Sequence, residues 1–259
     1  MQVDRYEPGT PSWVDVNGPD VKRLASFYSE LFGWDAEDQG EEAGHYTMFA
    51  QGGRSVAAAS PTPPGMEAPP SWTTYITVAD AGATTATIAV AGGGVMAPPF
   101  DVFDAGRMAI ATDPSGGVFA IWQPGRHIGA ELVNEPCSLC WNELTVRNAD
   151  EVLEFYSAVF GWRVHLQDGA DAPFKYRELY LGDKLIGGCM EMDDSWPEGI
   201  PTHWMAYFAV EDTDATAKRA VEVGGTVSVE PFDLPVGRTA VLNDPAGSVF
   251  SVIKLNDAI

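Results

Sequence analysis

Residues 13–34 read WVDVNGPDVKRLASFYSELFGW, and residues 141–162 read WNELTVRNADEVLEFYSAVFGW. The two stretches match at Trp13 and Trp141, at Tyr28 and Tyr156, and at the closing Gly-Trp, always 128 residues apart. At later matched positions the offset becomes 132 and then 131. Such small changes are differences in loop length, because an insertion in an exposed connection costs little entropy whereas one inside an element breaks its register. The sequence therefore predicts two copies of one domain.

Each copy is predicted to contain two similar units. After the first strand, Val21, Leu24, Phe27, Tyr28 and Leu31 recur at helical spacing on one face. Between the predicted helices lie short apolar strands and glycine-containing turns such as residues 51–54. Each unit thus has the order strand, helix and three strands, which gives four βαβββ modules and an α+β fold. Aspartates stand where the four helix N-caps are expected, at Asp20, Asp80, Asp150 and Asp212.

The repeat also sets the expected domain boundaries. We place the first domain at residues 8–125, a linker at residues 126–133 and the second domain at residues 134–256. At 259 residues the chain is long enough for two ordinary domains with well-buried cores.

The charge and composition of the chain disfavour several classes of binding partner. The formal charge of −22 disfavours nucleic acid and anionic membrane surfaces, and it would attract a neutral or cationic ligand. The N-terminus has no basic and apolar leader, and no run approaches the roughly 20 apolar residues of a membrane span. Three cysteines do not form a disulfide framework. We expect a cytoplasmic protein that binds neither nucleic acid nor membranes.

Strand parity predicts one mixed face on each sheet. In residues 141–146, Leu144 and Val146 point one way, while Trp141, Glu143 and Thr145 point the other. The apolar set is expected beneath the helices. A face that carries aromatic rings, an acid and hydroxyls is typical of a ligand-lined concavity. Packing against the other domain is an equally good explanation of the pattern alone.

The repeated motifs resemble the vicinal-oxygen-chelate superfamily, which includes glyoxalase I, extradiol dioxygenases and bleomycin-resistance proteins. The resemblance rests on the W-x-[DE]-[LV] start, F-Y-x-x-[LV]-F-G-W and D-P-x-G-x-x-F, each present twice between about residues 10 and 254. It implies two glyoxalase/bleomycin-resistance-like domains with cup-shaped sheets. More narrowly, the chain is similar to two-domain actinobacterial members, among them a mycobacterial culture-filtrate antigen and proteins encoded beside anthracycline-type polyketide pathways.

Metal-dependent members of that superfamily carry His, Glu or Gln at set points on three strands of each domain. Carried over by the motifs, those positions fall here on Trp13 and Trp141, on Thr73 and Met205, and on Ala120 and Ser251. None is a good ligand for a divalent ion. We therefore expect no metal or other cofactor. A displaced site built from Glu143, His203 and Glu191 is the alternative. The other histidines, His45, His127 and His165, are expected on the surface or in loops.

The resemblance and the aromatic face together suggest metal-independent binding of a hydrophobic, aromatic polyketide-type small molecule. Its purpose would be sequestration for antibiotic self-resistance, or help to a tailoring oxygenase during antibiotic biosynthesis. The alternatives are a glyoxalase-like, metal-dependent lyase or isomerase acting on a 2-oxoaldehyde, and a vestigial member whose cups are filled by side chains. Glu143 is a weak candidate for a catalytic residue. The predicted ligand-binding residues are Trp13, Asp15, Tyr75, Trp122, Trp141, Glu143, His203, Met205, Tyr207 and Ser251.

Overall fold

The described part of the protein forms two eight-stranded sheets, four α-helices and a short 3-10 helix (Glu41–Ala43). The computed structural model describes residues 1–62, 69–167 and 175–256. The first sheet and its helices comprise β1 (Pro11–Gly18), α1 (Val21–Phe32), β2 (Asp35–Asp38), β3 (Thr47–Gln51), β4 (Arg54–Pro61), β5 (Trp72–Thr77), α2 (Ala81–Val90), β6 (Gly94–Val102), β7 (Gly106–Thr112) and β8 (Val118–Pro124). The second comprises β9 (Leu139–Val146), α3 (Ala149–Phe160), β10 (Arg163–Leu166), β11 (Tyr176–Leu181), β12 (Lys184–Glu191), β13 (His203–Ala209), α4 (Thr213–Glu222), β14 (Thr226–Leu234), β15 (Gly237–Asn243) and β16 (Val249–Leu255).

The strand order confirms the predicted α+β fold with four βαβββ modules. The first sheet runs β2-β3-β4-β1-β5-β8-β7-β6, and the second repeats this order as β10-β11-β12-β9-β13-β16-β15-β14. In each module the first strand pairs in parallel with the fourth, as β1 does with β4 and β5 with β8. The two modules of a sheet join where β1 pairs antiparallel with β5. Each sheet is therefore open and curves into a cup.

The helix boundaries follow the predicted signals with one exception. Asp20, Asp80 and Asp212 each accept a hydrogen bond from a backbone N–H in the first turn of their helices. The prediction for Asp150 is wrong, because α3 begins after Asn148 and Asp150 lies inside its first turn. There the Asp150 carboxylate pairs with Arg177 at 2.7 Å. In the part of the chain that the structure describes, no helix is long and apolar enough to cross a membrane.

The predicted strand parity is correct. Leu144, Val146, Phe208, Phe250 and Val252 are fully buried on the helix-facing sides of their sheets. The opposite, concave sides of β1, β5, β9 and β13 carry Trp13, Asp15, Tyr75, Trp141, Glu143 and Tyr207.

Each of the two large cores is built from both domains. One core joins Val14, Phe27 and Tyr28 of the first domain to Phe208 and Phe250 of the second. The other joins the second module of the first domain to the first module of the second domain. The helix-facing sides of the two sheets thus pack towards each other, and the two cups open away from this shared interior.

Candidate functional site

The concave faces of the two sheets carry matching sets of side chains. We call Trp13, Asp15, Tyr46, Tyr75 and Trp122 the first cup. The second cup consists of Trp141, Glu143, Tyr176, His203, Met205, Tyr207 and Ser251. Sheet register places these residues side by side: Trp13 lies opposite Tyr75, and Trp141 lies opposite Tyr207. In the next row Asp15 lies opposite Thr73 and Glu143 opposite Met205.

A buried carboxylate is the centre of the first cup. The indole Nε1 of Trp13 donates to the Tyr46 hydroxyl at 3.1 Å, and Tyr46 donates to Asp15 Oδ2 at 3.1 Å. The Tyr75 hydroxyl donates to the same Asp15 oxygen at 2.7 Å. Two phenol hydroxyls and an indole therefore fix the orientation of one carboxylate.

The second cup repeats this network with Glu143 in place of the aspartate. Trp141 Nε1 donates to the Tyr176 hydroxyl at 2.8 Å, and Tyr207 donates to Glu143 Oε1 at 2.8 Å. The Tyr176 hydroxyl is also hydrogen-bonded to Glu143. The extra methylene of glutamate, compared with aspartate, leaves the pattern of donors unchanged.

Burial dominates the electrostatics of both carboxylates. Asp15 is 4% exposed and Glu143 is 5% exposed. Burial raises the pKa of Asp15 to about 6, although the hydrogen bonds from Tyr75 and Tyr46 act in the opposite direction. Burial likewise raises the pKa of Glu143 against the hydrogen bonds from Tyr207 and Tyr176. Among the described residues, hydroxyls and not basic side chains stabilise a charge on Asp15 or Glu143.

The first cup is filled by its own side chains and by the segment that follows β8. Trp13 is 3% exposed, Tyr75 is 8% exposed, and Trp122 is also buried. The ring of His127 meets Trp13 edge to face with centroids 4.5 Å apart. Trp122 Nε1 donates to the His127 carbonyl oxygen at 2.8 Å. His127 is thus a loop residue, as expected, but it packs into the cup, and burial lowers the pKa of its imidazole to about 4.

The same segment is tied down at several points. The Tyr6 hydroxyl donates to the Ala130 carbonyl oxygen at 2.6 Å, and the Ala130 amide donates to Ser12 at 2.8 Å. Gly129 has a φ of 111°, and a Cβ at this position would lie 2.5 Å from the Ser12 carbonyl oxygen. Only glycine can pass this close to β1 in that conformation. The segment therefore closes the first cup as a fixed part of the fold.

The second cup is more open. Trp141 and Tyr207 are half-buried, whereas the matching Trp13 and Tyr75 of the first cup are buried; Tyr176 and its counterpart Tyr46 are both half-buried. Met205 and Ser251 form the buried floor between these rings. His203 is half-buried at the end of β13, where its Nδ1 lies 2.9 Å from the Pro201 carbonyl oxygen. The rings of Trp141 and Tyr207 thus retain exposed surface above a buried carboxylate.

Gly188 makes room for the network of the second cup. It lies on β12 next to Glu143, between the strand of Tyr176 and the strand of Glu143. A Cβ at Gly188 would stand 1.9 Å from the Tyr176 hydroxyl oxygen and 2.5 Å from Cζ of the same ring. The absence of a side chain at this position lets Tyr176 cross the strand and reach both Trp141 and Glu143.

The structure does not assemble the displaced metal site. Glu191 follows Gly188 by three residues on β12, so it lies on the opposite side of the sheet from Glu143. There it pairs with Arg177 at 2.7 Å. Among the described residues, no group of three or more His, Cys, Asp and Glu side chains has an arrangement suited to a metal ion.

Sequence reasoning missed three residues of the cups: Tyr46, Tyr176 and His127. Tyr46 stands just before β3 and Tyr176 is the first residue of β11, and strand boundaries are the least certain part of a sequence-based assignment, so the faces of these two tyrosines were not predicted. A usable signal was the run of small residues at Ala57–Ala59 and Gly187–Gly188, which leaves space for a ring from the neighbouring strand. His127 lies in a connection without periodicity, and nothing in the sequence connects it to Trp13.

Comparisons with known proteins identify the family. Residues 10–121 match the model of the Glyoxalase/Bleomycin resistance protein/Dioxygenase superfamily, and residues 140–253 match that of a glyoxalase-like domain. The chain belongs to this superfamily. It is 47% identical to "Putative glyoxylase CFP32" of Mycobacterium tuberculosis, over 96% of both chains. It is 39% identical to "Anthracycline biosynthesis protein DnrV" of Streptomyces peucetius, over 98% of this chain and 96% of that one.

Solved structures share the fold at low sequence identity. The Mn(II)-bound glyoxalase from Novosphingobium aromaticivorans superposes with a TM-score of 0.64 at 14% identity, over 95% of this chain and 82% of that one. The 2,3-dioxygenase LapB from Pseudomonas sp. KL28 also has a TM-score of 0.64, at 16% identity, over 96% of this chain and 93% of that one. These likenesses concern the fold alone.

The residues present do not fit the divalent ion that metal-dependent members of the superfamily hold. At the three expected positions the first domain has Trp13, Thr73 and Ala120. The second domain has Trp141, Met205 and Ser251 at the same positions. An indole N–H is a donor and offers no lone pair to a metal, and that of Trp141 is already bonded to Tyr176. Nitrogen and carboxylate ligands are therefore missing where the family would place them.

Proposed function

We propose that this protein binds a hydrophobic, planar aromatic small molecule of the polyketide type in the second cup, without a metal ion. The observation that carries the proposal is the pair of half-buried rings, Trp141 and Tyr207, beside a buried carboxylate. Flat rings with exposed faces bind flat apolar ligands by stacking, which contributes about 0.5–1.5 kcal/mol per ring pair beyond area burial. We assign no ligand to the first cup, because Trp13, Tyr75 and Trp122 are buried there and residues 127–130 close it.

The hydrogen-bond network supports a binding role because it holds the rings in place. Tyr207 is anchored through Glu143, and Trp141 through Tyr176, so neither ring needs to be ordered when the ligand arrives. Preorganised contacts of this kind improve affinity by lowering the entropic cost of binding. His203, Met205 and Ser251 would then form the edge and the floor of the site.

The relatives support the ligand class. DnrV is named as an anthracycline biosynthesis protein, and its similarity extends over 98% of this chain. An anthracycline has a planar, fused-ring chromophore, which suits an aromatic cup. The binding would serve either sequestration of such a compound for self-resistance or its presentation to a tailoring oxygenase, in a cytoplasmic protein.

A second candidate function is a glyoxalase-like lyase or isomerase, and the similarity to CFP32 favours it. Glu143 would then act as the proton acceptor, because burial raises its pKa towards the range in which a general base operates. The chemistry at the metal-ligand positions argues against the metal-dependent version of this reaction.

Titration of metal-stripped protein distinguishes the two candidates. Protein dialysed against EDTA is titrated with a neutral anthracycline aglycone while tryptophan fluorescence is followed. We expect quenching at micromolar ligand, with at least about fivefold weaker binding in Trp141→Phe, whose smaller ring stacks less well. Absence of binding together with metal-dependent turnover of a 2-oxoaldehyde, lost in Glu143→Gln, would replace the binding proposal by the enzymatic one.

A further inference from the structure

We propose that the planar ligand of the second cup carries a positive charge, which it sets against the Glu143 carboxylate. This inference rests on the proposed binding function and specifies the ligand that the same site takes. It depends on the hydroxyl donors around Glu143, on the lack of a basic partner for that carboxylate among the described residues, and on the surrounding rings.

The hydroxyls around Glu143 suit the ionised form of its carboxyl group. An indole N–H can only donate, so the Tyr176 oxygen accepts from Trp141, and the Tyr176 hydroxyl can donate its own proton to Glu143. The Tyr207 hydroxyl donates to Oε1 of the same carboxylate. Both described partners of Glu143 are hydroxyls that can donate to it, and two such donors stabilise a carboxylate anion.

No basic side chain neutralises this anion among the described residues. Burial and the hydroxyls of Tyr207 and Tyr176 are the influences on its pKa, and no lysine, arginine or histidine contributes. Nearby Arg177 lies on the other side of the sheet, where it pairs with Glu191 and Asp150. Burial of a carboxylate without a counter-ion costs free energy. A ligand with a positive charge supplies the counter-ion and is therefore bound more tightly.

The rings that surround Glu143 suit the same ligand. Trp141, Tyr176 and Tyr207 are half-buried, and the faces of such rings attract cations with about 0.5–2 kcal/mol each, depending on desolvation. A planar cation can stack on these rings and lie close to the carboxylate at once. A neutral aromatic makes only the first contact, and an anionic one is repelled by Glu143.

Two fluorescent probes of nearly equal shape test the proposal. N-Methylacridinium carries a permanent positive charge, and N-methylacridone is neutral. Both are titrated into wild type, Glu143→Gln and Asp15→Asn at 0.5 M NaCl, where the long-range field of the acidic surface is screened to within a few ångström. We expect wild type to bind the cation at least about tenfold more tightly than acridone. Glu143→Gln should bring that ratio close to one, whereas Asp15→Asn, in the filled first cup, should keep it.

The outcomes separate this inference from the function on which it rests. If neither probe binds wild type, the aromatic-binding function itself fails. If both bind wild type equally, or if Glu143→Gln keeps the preference, the function stands and the charged-ligand inference is overturned. If Glu143→Gln does not fold, wild type decides: a preference that persists from 0.05 to 0.5 M NaCl supports a local pair with Glu143, and one that vanishes contradicts it.

Discussion

The hydroxyl of Tyr28 in the first domain donates to Asp244 Oδ2 in the second domain at 3.0 Å. The reciprocal pair, Tyr156 and Asp113, has the same distance. Each aspartate opens a D-P-x-G turn, and its other oxygen accepts from backbone amides of that turn. The tyrosine of the F-Y motif in one domain therefore completes the D-P-x-G motif of the other. Within one domain the F-Y and D-P-x-G motifs are far apart in sequence. Each is hydrogen-bonded to the other motif in the second copy of the domain.

Removal of one of these hydroxyls should destabilise the whole protein. In Tyr28→Phe, Asp244 Oδ2 loses its partner and the indole N–H of Trp72 loses the acceptor that it contacts at 3.0 Å. Buried polar groups left in this way cost about 2–4 kcal/mol together. Urea unfolding should show this loss for Tyr28→Phe and a similar one for Tyr156→Phe. The control Tyr180→Phe, whose half-buried hydroxyl bonds to Glu178, should change stability by at most about 0.5 kcal/mol. Equal effects of all three would contradict the cross-domain account.

Neither domain should be stable by itself. Residues 1–133 alone would leave Val14, Phe27 and Tyr28 without the Phe208 and Phe250 side chains that complete their core. Exposed apolar surface of this size leads to unfolding or self-association. We expect fragments 1–133 and 134–259 to be unfolded or aggregated when separate, and to show native-like circular dichroism and cooperative melting when co-expressed. A monomeric, cooperatively folded 1–133 fragment would show that the cores are independent.

The sequence predicted the modules and the buried faces, because alternation and helical spacing record whether a side chain is inside or outside. It could not show that Tyr28 packs beside Phe250 of the other copy, because periodicity does not say which apolar face meets which. The concave positions of Trp141, Glu143 and Tyr207 followed from parity in regular strands. Tyr46 and Tyr176 did not, because they stand at the beginnings of β3 and β11, where the sequence does not fix the strand boundary. His127, which closes the first cup, lies in a loop. A loop has no periodic pattern from which the burial of a side chain could be predicted.

Asp15 should make stability fall as pH rises through weakly acidic values. Its pKa is raised by burial from 3.8 to about 6 in the folded protein, so the protonated carboxyl favours folding below pH 4 and this contribution is lost as pH rises through 6. The free energy of unfolding of Asp15→Asn, compared with that of wild type, should therefore increase by about 2–3 kcal/mol from pH 4 to pH 7. Urea titrations of wild type and variant at the two pH values measure this difference. The other titratable groups contribute equally to both proteins and therefore cancel. A pH-independent difference would mean that Asp15 is not buried as an anion.

Gly188→Ala should damage the second cup without unfolding the protein. The added Cβ would collide with the Tyr176 ring, so the ring must move away from Trp141 and Glu143. We expect at least about fivefold weaker binding of planar ligands, with a modest loss of stability of about 1–3 kcal/mol. Gly199→Ala is the matched control, because a Cβ there has no neighbour within 4 Å. Unchanged binding in Gly188→Ala would show that Tyr176 does not hold the site in place.

The indole N–H resonances of the eight tryptophans offer the most direct test of the central claim, that the second cup of the metal-free protein binds the ligand. These resonances are assigned by single Trp→Phe variants, and a planar aromatic ligand is added to EDTA-treated, ¹⁵N-labelled protein. The account predicts that the Trp141 signal shifts or broadens in proportion to saturation, while the signals of Trp13 and Trp122 in the filled first cup stay in place. A shift of Trp13 with an unchanged Trp141, or no indole shift until a divalent metal is added, would contradict it.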